Sequence, residues 1–325
     1  MESPNDSQKR IITFKKFLSL YGKKKLAIAT HNRADVDAIS SAYALSTIFP
    51  KSIVCTREEM TQGAQKLVEK LGIKTTPLQE LKQKEFDGLV VTDTSAYTLL
   101  PDAKEWKISC IIDHHRKDGK DMQAEVEIID EQSPSAAEIV AGLIEGAALE
   151  MNKKAAFGLS VGIIADGARF KSARANTFET LAKLMKIAGA EYTEILSYAE
   201  PDKEEEAKVA ILKAMRNVET TYASGYVIAT TETDSNESDA ASLITEAADV
   251  CFVAKWKNEE KETRISARAR GSVRVPLNTV MAKVGKELGG AGGGHPKAAG
   301  AALKVHTKEA LKRCVEVFIE NAEKQ

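Results

Sequence analysis

Short apolar runs recur through the first 130 residues, divided by stretches long enough for helices. LAIAT (26–30), SIVC (52–55), GLVVTD (88–93), ISCIID (108–113) and VEIID (126–130) each suit a buried strand. Val36 to Ile48 and residues 61–71 carry helical spacing between them. Buried strands alternating with helices imply a parallel α/β sheet. From 135 to 200 the chain reads as several helices with no strand.

The composition shifts near Pro201. PDKEEEAKVAILKAM reads as a helix with Pro near its first turn and acids behind it. Beyond it, GYVIAT (225–230) is a strand, 239–248 a helix, and DVCFVAKW with TRISARAR a β-hairpin across NEEKE. Residues 277–288 form a helix, AAGAALKV a strand, and the C-terminus a helix. The fold class is therefore α/β: a parallel-sheet domain over 1–198, a linker helix over 199–218, and a smaller mixed α/β domain over 219–325.

Several of the apolar runs stop on polar groups. LAIAT leads into His31, Asp35 and Asp37; GLVVT into Asp93; ISCII into Asp113, His114 and His115. Parallel strands present their C-terminal ends along one edge, so these side chains would meet there. Asp166, after GLSVGIIA in a helical stretch, would have to reach the same edge. Taken singly, Asp93 also reads as a turn residue, His31 as a core histidine and Asp166 as a helix cap. Gathered together, so many carboxylates could not all ionise without cations. Oxygen and imidazole ligands without thiolate suit divalent manganese or magnesium, and there are enough ligands for two ions. Paired ions are suited to phosphoryl hydrolysis.

Cys55, Cys110, Cys251 and Cys314 are far apart and form no zinc or disulfide pattern, which suits a reducing compartment. The N-terminal MESPNDSQKR is polar and no run is long enough to span a membrane, so a cytoplasmic location is expected. The net charge of −1 hides an asymmetry: residues 251–325 hold 15 Lys and Arg against 8 Asp and Glu. An acidic larger part suits metal ions and a basic smaller part suits an anion, although chance surface composition would give the same balance.

These motifs resemble those of the DHH-family phosphoesterases that carry a DHHA1 domain, in the oligoribonuclease and dinucleotide phosphodiesterase branch. The pattern H-x3-D-x-D matches His31, Asp35 and Asp37; the strand ending in Asp matches Asp93; the DHH tripeptide matches Asp113, His114 and His115; G-I-x-x-D matches Asp166. GGAGGGHPKAAGAA (289–302) resembles the GGGH signature of the DHHA1 domain. Gly292, Gly293 and Gly294 lack side chains and would let backbone N–H groups approach an anion, with His295 as a further donor; a flexible turn is the plain alternative. Arg264, Ser266, Arg268 and Arg270 share one strand face, and Arg268 resembles the family's phosphate-holding arginine.

The resemblance implies two divalent ions, manganese preferred over magnesium. His31, Asp35 and Asp93 would hold one; Asp37, Asp93, His114 and Asp166 the other, with Asp93 bridging. A hydroxide activated between them would attack phosphorus, His115 would neutralise phosphoryl charge, and Asp113 would orient a ligand. It further implies short RNA or a linear or cyclic dinucleotide as substrate, spanning from the first domain to the second, with nucleoside monophosphates as products. Single-stranded nucleic acid and a homodimer are also admitted as partners, and no membrane. A RecJ-like exonuclease reading would need stacking aromatics and an added domain, and only two Trp are present. A family II pyrophosphatase would lack the GGGH domain. A non-catalytic nucleotide-binding protein would normally have lost a ligand. The chain departs from the family's usual pattern at Ala34, at Ser40–Ser41 and at Gly167–Ala168; Arg169 and Lys171 read as surface charges or as phosphate contacts.

Overall fold

The computed structural model describes residues 4–57, 59–115, 121–167, 170, 172–200 and 202–324. Ala168, Arg169, Lys171 and Pro201 lie outside the described residues. The chain divides into two compact units, Met1–Asp202 and Lys203–Gln325.

The first unit holds strands β1 (Leu26–Ala29), β2 (Ile53–Cys55), β3 (Thr75–Thr76), β4 (Gly88–Thr92), β5 (Ile108–Asp113) and β6 (Val126–Ile129). They form one parallel sheet in the order β3-β2-β1-β4-β5-β6. Its helices are α1 (Pro4–Tyr21), α2 (Val36–Ile48), α3 (Gln62–Leu71), α4 (Ala136–Gly146), α5 (Lys153–Asp166), α6 (Ala175–Ala188) and α7 (Tyr192–Ala199). The central strands β1, β4 and β5 are buried along their length because both sheet faces are covered there. Leu26, Ile28, Val90, Cys110 and Ile112 pack into the helical core, whereas Ala27, Ala29, Leu89, Val91 and Ile111 pack with Leu78, Leu100, Ala103 and Met122. The chain leaves β1 for β2 on one side, and β4 lies on the other, so the strand order reverses between β1 and β4. That crevice, beyond the carboxyl ends of the strands, is where open α/β sheets take ligands.

The second unit contains α8 (Glu205–Arg216), β7 (Glu219–Ala223), β8 (Tyr226–Glu232), α9 (Glu237–Ile244), β9 (Val250–Lys257), β10 (Glu262–Ala269), α10 (Leu277–Glu287), β11 (Ala291–Gly294), β12 (Ala298–Leu303) and α11 (Thr307–Ala322). The sheet order is β11-β12-β10-β9-β8-β7, with β8 and β9 parallel and the other pairs antiparallel. The expected hairpin is β9 and β10, with Ile265 opposite Ala254. The helix expected as a linker begins at Glu205, not near Pro201, and its Ile211 and Ala214 join the second unit's core.

Three strands were not expected, among them the two-residue β3 at the edge of the first sheet. ETTYA forms β7, largely exposed, and the glycine run expected as a loop forms β11. Gly292 pairs with Ala301, Gly293 with Gly300 and Gly294 with Ala299. Glycine has poor strand propensity, so tertiary packing accounts for β11. Helix α10 lies directly on it: a Cβ at Gly292 would fall 2.1 Å from the Met281 carbonyl oxygen, and one at Gly285 2.6 Å from the Gly292 nitrogen. Gly292→Ala is therefore expected to destabilise the protein by about 1–3 kcal/mol, since helix and strand would have to separate. Gly293→Ala is the control, because a Cβ there meets nothing within 4 Å. Urea unfolding of both variants checks this.

Candidate metal centre

Asp93 follows β4 and its backbone is left-handed, at φ 59°. Few residues other than glycine adopt that region, and aspartate is among the more tolerant. Its N–H still donates to the Ile112 carbonyl at 2.9 Å, so the turn starts without leaving the sheet. The carboxylate is 3% exposed, and Oδ1 has no hydrogen-bond partner of good geometry. Nε2 of His31 lies 3.5 Å from Oδ2, and Nε2 of His114 lies 3.3 Å from Oδ1.

His31 leaves β1, and Asp35 caps α2 by accepting the Ala38 N–H at 3.0 Å on Oδ1. Asp37, in the first turn of the same helix, is buried. Its two oxygens accept from Ala136 N at 2.7 Å and Ala137 N at 2.8 Å, at the N-terminus of α4. A carboxylate has about four lone-pair sites, so both oxygens keep capacity for a cation. Asp166 ends α5, and its Oδ2 lies 3.2 Å from His114 Nε2.

Asp113 answers how neighbouring histidines reach one crevice from an extended strand. Its Oδ1 accepts from His114 N at 2.8 Å and His115 N at 3.1 Å, curling the chain as β5 ends. The same oxygen is 2.9 Å from His115 Nδ1, and the two imidazole centroids are 4.3 Å apart. His114 Nδ1 lies 3.2 Å from the Ser133 carbonyl. A carbonyl only accepts, so Nδ1 carries the hydrogen toward it and Nε2 is the nitrogen that could ligate an ion, the arrangement usual for metal-bound histidine.

Ligand atoms within 4.8 Å of one another form three groups among the described residues: His31, Asp35 and Asp93; Asp37, His114 and Asp166; and Asp93, His114 and His115. Every metal-ligand candidate read from the sequence is in one of them. Asp113 is in none; it holds His115 and the backbone of His114. The electrostatics call for cations. Burial, then the charges of Asp93 and Asp166, push the Asp37 carboxyl well above its usual range. Burial, with Asp93 and Asp35, pushes Asp166 up to about 6. Burial opposes charging of His114, but its bond to Asp93 and the surrounding acids raise it to about 10. The donor set of imidazoles and carboxylates, with a buried Asp93 oxygen that faces only the His114 and His115 imidazoles, fits divalent ions of the manganese or magnesium kind.

The second unit groups the remaining candidates. Arg268 pairs in register with Ala298, beside the turn in which His295 N donates to the Ala298 carbonyl at 2.8 Å. The Arg268 guanidinium donates to Ser238 Oγ at 2.7 Å and to the Ala267 carbonyl at 3.0 Å, and burial lowers its pKa. The His295 side chain is exposed. Arg270 donates to the Thr245 and Glu246 carbonyls instead. The sequence reading passed over Ser133, whose carbonyl sets the His114 tautomer, and the α4 amides that hold Asp37. The run Ser135-Ala136-Ala137-Glu138 is a capping-box pattern that marks this helix start.

The sequence matches the model of the DHH family N-terminal domain over residues 25–163 and that of the DHHA1 domain over residues 220–324. An uncharacterized protein of Methanocaldococcus jannaschii is 29% identical over 314 residues, covering 90% of this chain and 94% of that one. The structure of an exopolyphosphatase-related protein from Bacteroides fragilis is similar with a TM-score of 0.80 at 18% identity, covering 97% of each chain. That of RecJ from Thermus thermophilus in complex with Mn2+ is similar with a TM-score of 0.53 at 12% identity, covering 98% of this chain and 55% of that one. At such identities the two structures speak for the fold. No helix among the described residues is long and apolar enough to cross a membrane.

Proposed function

The chain belongs to the DHH family and carries a DHHA1 domain, and on that premise we propose a phosphodiesterase dependent on two divalent ions, manganese preferred. Its substrates are short oligoribonucleotides or dinucleotides, linear or cyclic, and its products are nucleoside monophosphates. The observation that carries the reading is the linkage of the three ligand groups, in which Asp93 and His114 each belong to two, around a buried Asp93 oxygen that faces only imidazole nitrogens.

His31, Asp35 and Asp93 would hold one ion, and Asp37, Asp93, His114 and Asp166 the other. When bound, the ions supply a water of lowered pKa and offset charge on the phosphoryl oxygens. The protein's own groups do the rest. Ser133 keeps the proton on His114 Nδ1, and the α4 amides keep Asp37 from turning away. Asp113 fixes His115 by accepting from Nδ1, and that hydrogen bond raises the His115 pKa, so the imidazolium can neutralise a phosphoryl oxygen. Arg268, the glycines Gly292 to Gly294 and His295 contribute substrate binding, Arg268 by forking two donors onto a phosphate remote from the scissile one.

The test incubates the protein and manganese with pApA, cyclic di-AMP, short RNA and long single-stranded DNA. Dinucleotides are expected to be cleaved fastest, with rates falling as RNA lengthens. Long single-stranded DNA degraded as fast as a dinucleotide would replace this reading with that of an exonuclease. Arg268→Ala and His295→Ala are expected to lower kcat/KM on dinucleotides, the former by about 10- to 100-fold, the worth of a charge-assisted phosphate contact. Hydrolysis of bis-p-nitrophenyl phosphate, which has no remote phosphate, should be unchanged. Loss of both activities alike would remove these residues from substrate binding.

A further inference from the structure

We propose that Arg174 is a positioning residue for the metal ligands, acting through the turn between β6 and α4; the inference rests on the metal-dependent reading above. That turn serves two ligands of one group. Its Ser133 carbonyl meets His114 Nδ1 at 3.2 Å, and the amides of Ala136 and Ala137 meet Asp37 at 2.7 and 2.8 Å. A shift of the turn would move both ligands together.

The turn is built from its own polar groups. Asp130 N donates to the Asp113 carbonyl at 3.0 Å, tying it to β5. Gln132 N donates to Asp130 Oδ1 at 3.0 Å, Ser133 Oγ to the Ser135 carbonyl at 2.9 Å, and Glu138 N to Ser135 Oγ at 3.1 Å. The two ends carry buried acids, Asp130 and Glu138. Arg174 spans them: one terminal nitrogen lies 2.8 Å from Glu138 Oε1 and the other 3.6 Å from Asp130 Oδ2. Arg10 adds a second cation 3.2 Å from the same Asp130 oxygen.

A planar guanidinium presents its donors at fixed separation, so it sets the distance between the two ends of the turn; an ammonium is a point charge and cannot hold both. Groups behind the ligands of a metal site orient them, and their loss commonly weakens metal binding 10- to 100-fold. Arg174 stands one layer further back, so a loss of about tenfold is expected. A merely structural ion pair would change stability and leave metal affinity alone.

The experiment measures Mn2+ affinity by equilibrium dialysis on the full chain, with thermal unfolding alongside. Arg174→Lys and Glu138→Gln are compared with Lys183→Ala, which breaks the exposed bridge from α6 to Glu145 on α4 at 2.6 Å. Both network variants are expected to bind Mn2+ about tenfold more weakly, and excess Mn2+ should restore kcat. Lys183→Ala should bind as wild type does. Where Arg174→Lys fails to fold, Glu138→Gln carries the comparison. Wild-type affinity in the network variants, or an equal loss in Lys183→Ala, overturns the positioning role and leaves the metal reading standing. A wild-type chain that binds no Mn2+ overturns both.

Discussion

Asp93→Asn is expected to lower kcat by about a thousandfold, roughly 4 kcal/mol of lost transition-state stabilisation, while the protein stays folded. Asp93 shares one ligand group with His31 and Asp35 and another with His114 and His115, and His114 in turn shares the third group with Asp37 and Asp166. In the proposed assignment the Asp93 carboxylate would serve both ions, whereas each other ligand would serve one. Asparagine is the informative replacement because it tolerates the left-handed backbone at φ 59° and its carboxamide keeps the carboxylate's size. The metal-free variant should unfold near the wild-type temperature. It loses attraction to His31 and His114 but is relieved of repulsion from Asp35, Asp37 and Asp166. Steady-state kinetics at saturating Mn2+ and metal stoichiometry check this. Retention of more than about a tenth of the rate, a cost of only about 1.4 kcal/mol, would show that Asp93 does not serve both ions.

Exhaustive chelation is expected to abolish hydrolysis and to lower the unfolding midpoint. A ligand present at 100 times its dissociation constant stabilises the native state by about 2.7 kcal/mol per site. Mn2+ should restore activity better than Mg2+, because imidazole nitrogen suits the softer ion. Binding should also release protons. Asp166 at about 6 and His114 at about 10 hold protons that the ions must displace, so affinity should rise with pH. Calorimetry in two buffers of different ionisation enthalpy reads the proton count. Full activity after chelation would remove the metal mechanism.

The sequence by itself determined the strand and helix alternation of the first 130 residues and the residues that end the strands. Both are local: an apolar run has to be buried, and the polar residue that stops it has to lie at the strand's carboxyl end. A parallel sheet then aligns those ends, so His31, Asp93 and the Asp113–His115 run could be placed together before any contact was known. Tertiary structure decided what depends on partners far along the chain. The Ser133 carbonyl selects the His114 tautomer, the amides of α4 grip Asp37, and Arg174 spans Asp130 and Glu138. The capping box at Ser135–Glu138 marks the start of α4, but no spacing says which distant side chain a backbone carbonyl or amide will meet, or which two acids one guanidinium will span. The glycine run shows the same limit from the other side. Its composition favours a loop, yet Gly292 to Gly294 form a strand, because β12 supplies the hydrogen bonds and α10 leaves no room beside Gly292 for a side chain.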